Sequence, residues 1–200
     1  MARPMRKVLV IYGSPREDGN TDILLEEIVR GIKKEKNKNM EIEKVYLRKL
    51  CIYPCRECRA CDKTGRCIIE DDMQKLHAKF LEADWIILGS PIFFYSVTAN
   101  VKAMIDRCQA LWARKYLLRE HPGEKPKEKR GGWFVCVGAT RGKKLFEGAS
   151  LTVKYFFDTT GVPYRGELLV RGIDKKGEVL NHPDVLSRAY SLGENIASLS

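Results

Sequence analysis

RKVLVIYGSPREDGNT, residues 6–21, decides the fold. Arg6–Tyr12 is a short, nearly continuous apolar run, the pattern of a strand buried on both faces of a parallel sheet. It stops at Gly13. Asn20-Thr21 then opens a helical pattern with Ile23, Leu24, Ile28 and Ile32 on one face, followed by the charged run Lys33–Lys38. Between strand and helix lie two glycines, small hydroxyl and amide side chains, and Arg16. Free N–H groups at the helix start, the helix dipole and the side chains of Ser14, Asn20 and Thr21 can all meet an anion, and Arg16 adds a charge-assisted bond. A capped turn with Asn20 as N-cap forms without any ligand. The loop lacks the G-x-G-x-x-G order of dinucleotide folds and the Lys-Ser/Thr pair of a P-loop, so the expected anion is a monophosphate.

The alternation continues outward from this unit. Glu41–Leu47 reads as a second strand, and Asp71–Ala83 places Met73, Leu76, Phe80 and Leu81 at helical spacing. Trp85–Gly89 is a third strand, Ala99–Trp112 a third helix and Trp133–Val137 a fourth strand. Leu145–Thr160 is a helix stopped at Gly161-Val162-Pro163, Tyr164–Val170 a fifth strand, and Pro183–Leu199 a closing helix. Five strands alternating with five helices demand right-handed crossovers and a parallel sheet, hence a doubly wound α/β fold. The 200 residues suit one domain spanning 1–200.

In such sheets ligands sit beyond the carboxyl ends of the strands. The loops Gly13–Thr21, Ser90–Ala99 and Gly138–Gly142 are therefore where chemistry is expected. Ser90–Ala99 puts Phe93, Phe94 and Tyr95 directly after a buried strand, which suits a flat apolar ligand or a core plug. Arg114–Arg130 holds seven basic and three acidic residues and two prolines, the composition of an exposed loop or lid.

Thirty-six Lys and Arg against 26 Asp and Glu give a formal charge of +10. That charge suits a nucleotide, an acidic electron carrier or nucleic acid, and equally a solvated surface. Neither a signal peptide nor a membrane span is read, so a cytoplasmic location is expected. Seven cysteines in that setting point to metal or redox chemistry in place of a disulfide framework.

Four of them, Cys55-x2-Cys58-x2-Cys61-x5-Cys67, fall within 13 residues, preceded by Cys51. A mononuclear zinc site usually joins two C-x2-C knuckles across a longer loop, whereas a cubane cluster is commonly wrapped by closely spaced cysteines. The spacing favours a cluster; zinc, a disulfide or free thiols remain alternatives. Cys108 and Cys136 read as small core residues. His77, His121 and His182 have no metal-like spacing.

Gly13-Ser14-Pro15-Arg16, Gly19-Asn20-Thr21, Gly89-Ser90-Pro91-Ile92, Lys102 and Ile105-Asp106-Arg107 together resemble the NADPH-dependent FMN reductase group of the flavodoxin-like superfamily. The cysteine segment resembles its iron–sulfur flavoprotein branch, whose C-x2-C-x2-C-x(4–7)-C motif binds a [4Fe–4S] cluster. The resemblance implies a sheet in the order 2-1-3-4-5 with the Cys-rich segment 51–67 after strand two. It implies that Ser14, Arg16, Asn20 and Thr21 hold the FMN phosphate, that Pro91, Ile92, Phe93, Phe94 and Ser96 lie along the flavin ring, and that Ala139, Thr140 and Arg141 border it. Cys55, Cys58, Cys61 and Cys67 become the cluster ligands. It further implies electron transfer carried by FMN itself, with ferredoxin or NAD(P)H as donor, in a homodimer or homotetramer. Both sites are expected at the same end of the sheet. A cluster-free NAD(P)H-dependent FMN or quinone reductase is the main alternative. A zinc-stabilised nucleic-acid-binding module ranks last, because the basic stretch 114–130 has no stacking aromatic beyond Tyr116. No nucleic acid and no membrane are expected as partners.

Overall fold

The computed structural model describes residues 5–34, 40–120 and 129–199. Five strands, β1 Arg6–Tyr12, β2 Met40–Tyr46, β3 Trp85–Pro91, β4 Gly131–Gly138 and β5 Tyr164–Arg171, pair in parallel in the order β2-β1-β3-β4-β5. The helices are α1 Asn20–Lys34, α2 Cys61–Thr64, α3 Met73–Glu82, α4 Ala99–Arg107, α5 Gln109–Trp112, α6 Glu147–Thr159 and α7 Pro183–Ser198. The expected fold class and strand order are observed.

Strand residues alternate between two cores, as a period of two requires. Val8, Val10 and Tyr12 of β1 pack with Leu24, Leu25 and Ile28 of α1 and Ile196 of α7. Leu9 and Ile11 join Phe80 of α3, Met104 of α4 and Phe156 of α6 on the other face. The central strands β3 and β4 are buried almost throughout, while β2 and β5 at the edges alternate between exposed and covered positions. Among the described residues no helix is long and apolar enough to cross a membrane.

Two expectations need correction. The helix read over Ala99–Trp112 breaks at Cys108, whose N–H bonds back only three residues, to the Ile105 carbonyl at 2.9 Å. The exposed loop read from Arg114 begins instead as a wide helical turn over Ala113–Leu117, closed by the Leu118 N–H on the Ala113 carbonyl at 2.9 Å. Ala110, Leu111 and Ala113 are buried, so the core continues to hold the chain past Trp112. Residues 121–128 of that stretch, like 35–38 of the charged run after α1, lie outside the described residues.

Helices α1 and α7 approach so closely that glycine is required on both. A Cβ on Gly31 would stand 2.1 Å from the Tyr190 carbonyl oxygen, and one on Gly193 would stand 2.1 Å from that of Ile28. Backbone cannot swing aside as a side chain can. Gly193→Ala is therefore expected to cost about 1–3 kcal/mol, the usual range for overpacking, read as a lowered urea midpoint; an unchanged midpoint would show that the helices separate freely.

Candidate functional site

The loop after β1 is held by its own side chains. Ser14, 4% exposed, accepts from the Arg16 N–H at 3.1 Å, and its hydroxyl lies 3.0 Å from the Arg16 carbonyl. The α1 ladder begins with the Ile23 N–H on the Gly19 carbonyl at 3.0 Å, leaving the N–H groups of Asn20, Thr21 and Asp22 outside it. Asn20 and Thr21 line a cavity of about 160 Å³ with Ser14, Arg16 and Gly19, and its apolar lining comes from Pro91, Ile92, Phe93, Val137, Ala139 and Ile173. A cationic, N–H-rich end joined to an apolar slot is the donor set that a phosphate attached to a flat ring needs.

Eight of the expected residues thus line one cavity: Ser14, Arg16, Asn20, Thr21, Pro91, Ile92, Phe93 and Ala139. Four do not. Phe94 is fully exposed, Ser96 pairs with Phe93 by two backbone bonds of 2.9 Å, Thr140 is exposed, and Arg141 lies against Gly172. Phe94 and Tyr95 have φ of 49° and 60°, both left-handed, as a two-residue turn of this twist demands. Bulky residues adopt that region at a cost.

The 173–181 segment is a part of this site that the sequence did not disclose. The Asn20 amide donates to the Lys175 carbonyl at 2.9 Å and accepts from the Val179 N–H at 3.2 Å, so its side chain anchors this segment. Arg16 Nη1 reaches the Asp174 carbonyl at 3.3 Å. Below the loop, Arg48 pairs with the buried Asp22 at 2.9 Å and stacks over Tyr46. Burial holds the Asp22 carboxyl above its ordinary range despite that cation.

Cys55, Cys58, Cys61 and Cys67 all line a second cavity, about 630 Å³, together with Arg107, Trp112 and Leu117. The chain turns between these thiols through Glu57 and Arg59 at φ 51° and 56°. Burial, Asp62 and the nearby thiols of Cys67 and Cys55 raise the Cys61 pKa. Four thiolates around one ion would stand about 3.8 Å apart, given Zn–S near 2.3 Å. Among the described residues, no three His, Cys, Asp or Glu side chains gather that closely. Cys51 lies outside the cavity, its N–H bonded to Asp72 at 2.9 Å, and Cys108 and Cys136 are buried in the core as expected. Leu117 and Trp112, from the stretch around the expected loop, form part of the cavity wall. Tyr116 and Lys115 are bonded to Asp158 at 2.5 Å and 2.6 Å.

The two cavities share no lining residue. α4 spans between them: Thr98, its cap, donates to the Gly13 carbonyl at 2.7 Å, and Arg107, its last residue, lies in the thiol cavity wall. Its nine residues, at 1.5 Å each, make α4 about 13 Å long. The thiol cavity takes Asp106 and Arg107 from the end of α4 and Gln109, Ala110 and Trp112 from α5.

His77 of α3 ties to this wall through Nε2–H on the Arg107 carbonyl at 3.0 Å; a carbonyl only accepts, which fixes the tautomer. Burial lowers the His77 pKa. The unfolded chain therefore takes up the proton first as pH falls through about 6.5. Stability from this group is present above that pH and lost progressively below it. His77→Gln is expected to flatten the decline in urea midpoint between neutral pH and pH 5, and an unchanged slope would remove His77 as its source.

The sequence profile of the NADPH-dependent FMN reductase family matches residues 6–145. An iron–sulfur flavoprotein of Methanocaldococcus jannaschii is 38% identical over 135 residues, 68% of this chain and 63% of that protein. A putative NAD(P)H-dependent FMN-containing oxidoreductase of Bacillus subtilis is 26% identical over 189 residues, covering 93% of this chain and 96% of that one. Against iron–sulfur flavoproteins of three organisms the aligned region is only 44% to 63% of their length. In fold, the chain is similar to an NAD(P)H:quinone oxidoreductase of Methanothermobacter marburgensis, with TM-score 0.73, 16% identity and 96% of each chain covered. It is likewise similar to a flavodoxin from the domain Archaea, with TM-score 0.54, 17% identity and 96% of each covered.

Proposed function

Since the chain belongs to the NADPH-dependent FMN reductase family, we propose that it is an FMN-dependent oxidoreductase passing electrons between FMN and a [4Fe–4S] cluster. The observation that carries this reading is the pair of cavities, one with a phosphate-type loop and an apolar slot, the other walled by four cysteines in 13 residues. FMN exchanges electrons singly or in pairs and a cluster singly, so together they couple one- and two-electron carriers. The relatives named as iron–sulfur flavoproteins support the same reading.

In this reading the first-turn N–H groups of α1, the Thr21 hydroxyl and Arg16 bind the phosphate, while Asn20 holds the 173–181 segment over it. Pro91, Ile92, Phe93 and Ala139 orient the ring and exclude water from one side. Phe94, Ser96, Thr140 and Arg141 stand outside the slot and act on whatever approaches the exposed edge. Cys55, Cys58, Cys61 and Cys67 hold the cluster. The unit works as a single cytoplasmic domain assembled as a homodimer or homotetramer, with ferredoxin or NAD(P)H as donor. The cluster-free NAD(P)H-dependent reductase is the second reading, favoured by the full-length Bacillus relative.

Flavin released from the protein should be FMN by mass spectrometry. Arg16→Ala should weaken its binding by about 1.5 kcal/mol, the low end for a charge-assisted bond because the guanidinium is exposed. Undiminished affinity would remove Arg16 from the phosphate site. Protein purified without oxygen should contain about four iron and four acid-labile sulfide per chain. Cys58→Ala should strip or cripple the cluster and leave FMN bound, since the two cavities share no residue. Stoichiometric zinc without sulfide, even after reconstitution, would leave the cluster-free reductase standing.

A further inference from the structure

The wall of the thiol cavity contains one buried cation. Arg107 ends α4 with a side chain 0% exposed. A guanidinium has five N–H donors. Four are used: Nη1 bonds the Tyr53 carbonyl at 2.8 Å and Asp71 at 2.6 Å, and Nη2 bonds the Ile69 carbonyl at 3.0 Å and Asp71 at 3.1 Å. The fifth, Nε–H, is buried and has no acceptor among the described residues. An unmet donor in a dry wall is costly to keep.

Cys67 lines the same cavity wall as Arg107 and stands two residues before Ile69, whose carbonyl accepts from Nη2. Asp71 is itself fixed, accepting from the N–H groups of Tyr53 at 2.9 Å and Met73 at 3.0 Å. The fork is thus locked by a carboxylate and two carbonyls, with one buried donor left without an acceptor in the wall that Cys67 shares.

We propose that Arg107 donates its Nε–H to the ligating sulfur of Cys67 and thereby raises the reduction potential of the group held by the four cysteines. This rests on the cluster reading given above. Reduction adds one electron to the iron–sulfur group, supplied by the one-electron carrier or the flavin, and no proton moves. The reduced state is more negative by one charge, so a donor and a cation beside its sulfur stabilise it more than the oxidised state. Arg107 is a positioning and tuning residue and touches no substrate.

The test compares anaerobically purified wild type with Arg107→Gln and Arg107→Lys, after iron, sulfide and FMN have been counted in each. The midpoint of the cluster is then titrated by electron paramagnetic resonance. Arg107→Gln should shift the reduction equilibrium at least tenfold toward the oxidised form, about 59 mV for one electron. Arg107→Lys keeps the charge and should recover part of the shift. A cluster-loaded Arg107→Gln protein with an unmoved midpoint overturns the proposal.

Both variants lose bonds to the loop, so a second measurement uses the intact side chain. Reduced wild-type protein grown with nitrogen-15 arginine should show a nitrogen coupling to the cluster spin. That coupling should persist in an Arg56→Gln, Arg59→Gln double variant, which removes two further guanidinia of the same wall. No coupling in a protein that holds iron and sulfide sinks the Arg107 role and leaves the cluster standing. Wild type with neither iron nor sulfide removes the cluster reading, and this inference with it.

Discussion

The junction of Gly13, Gly89 and Thr98 is the constraint on which the rest depends. The Gly13 N–H bonds the Gly89 carbonyl at 2.8 Å, and the Thr98 hydroxyl bonds the Gly13 carbonyl at 2.7 Å. A Cβ on Gly13 would stand 2.2 Å from Val101 Cγ2 and 2.5 Å from the Gly89 oxygen. Two loops that leave neighbouring strands are thus locked to each other and to the first turn of α4. The phosphate-type loop gains a fixed floor, and the aromatic loop gains a fixed start through the Thr98 N–H on Ser90 at 3.1 Å. Because α4 begins at this junction, its far end is placed as well. The position of Arg107, and with it the thiol cavity, follows from a contact one helix away.

The cysteine segment shows what happens where burial of apolar surface cannot organise a chain. Between the turn at Leu47–Lys49 and α2 the segment has no regular structure, and most of its residues are exposed. Its order comes from polar anchors: Asp72 on the Cys51 N–H, Asp71 on that of Tyr53, and Arg107 on the carbonyls of Tyr53 and Ile69. A buried pair such as Asp71–Arg107 gives little net stability over apolar packing, but removing one partner strands the other at about 3–5 kcal/mol. Such a pair specifies geometry more than it adds strength. That suits a loop whose four thiols line one cavity.

The strands and the long helices were legible because each is written in a period: near-continuous apolar runs for β1, β3 and β4, and helical spacing in α1 and α3. The C-x2-C-x2-C-x5-C spacing was legible because the thiols are close in the chain, and all four line one cavity. What escaped was tertiary. Asn20 looked like a donor for the anion, and only the fold shows its amide engaged by Lys175 and Val179, more than 150 residues away. Ile173 and Asp174 line the first cavity from a loop after β5 that has no local signature of a site. The helical turn at Ala113–Leu117 was hidden by the basic, proline-containing stretch beyond it, while the buried Ala110, Leu111 and Ala113 decided the outcome.

Separation is the last consequence of this design. One cavity is lined by the loops that leave β1 and β3, the other by the cysteine segment and the end of α4, and the two share no residue. The α4 helix is capped at one end by Thr98 and held at the other by the bonds of Arg107. The junction of the first loops and the wall of the thiol cavity are thus tied to the two ends of one helix about 13 Å long.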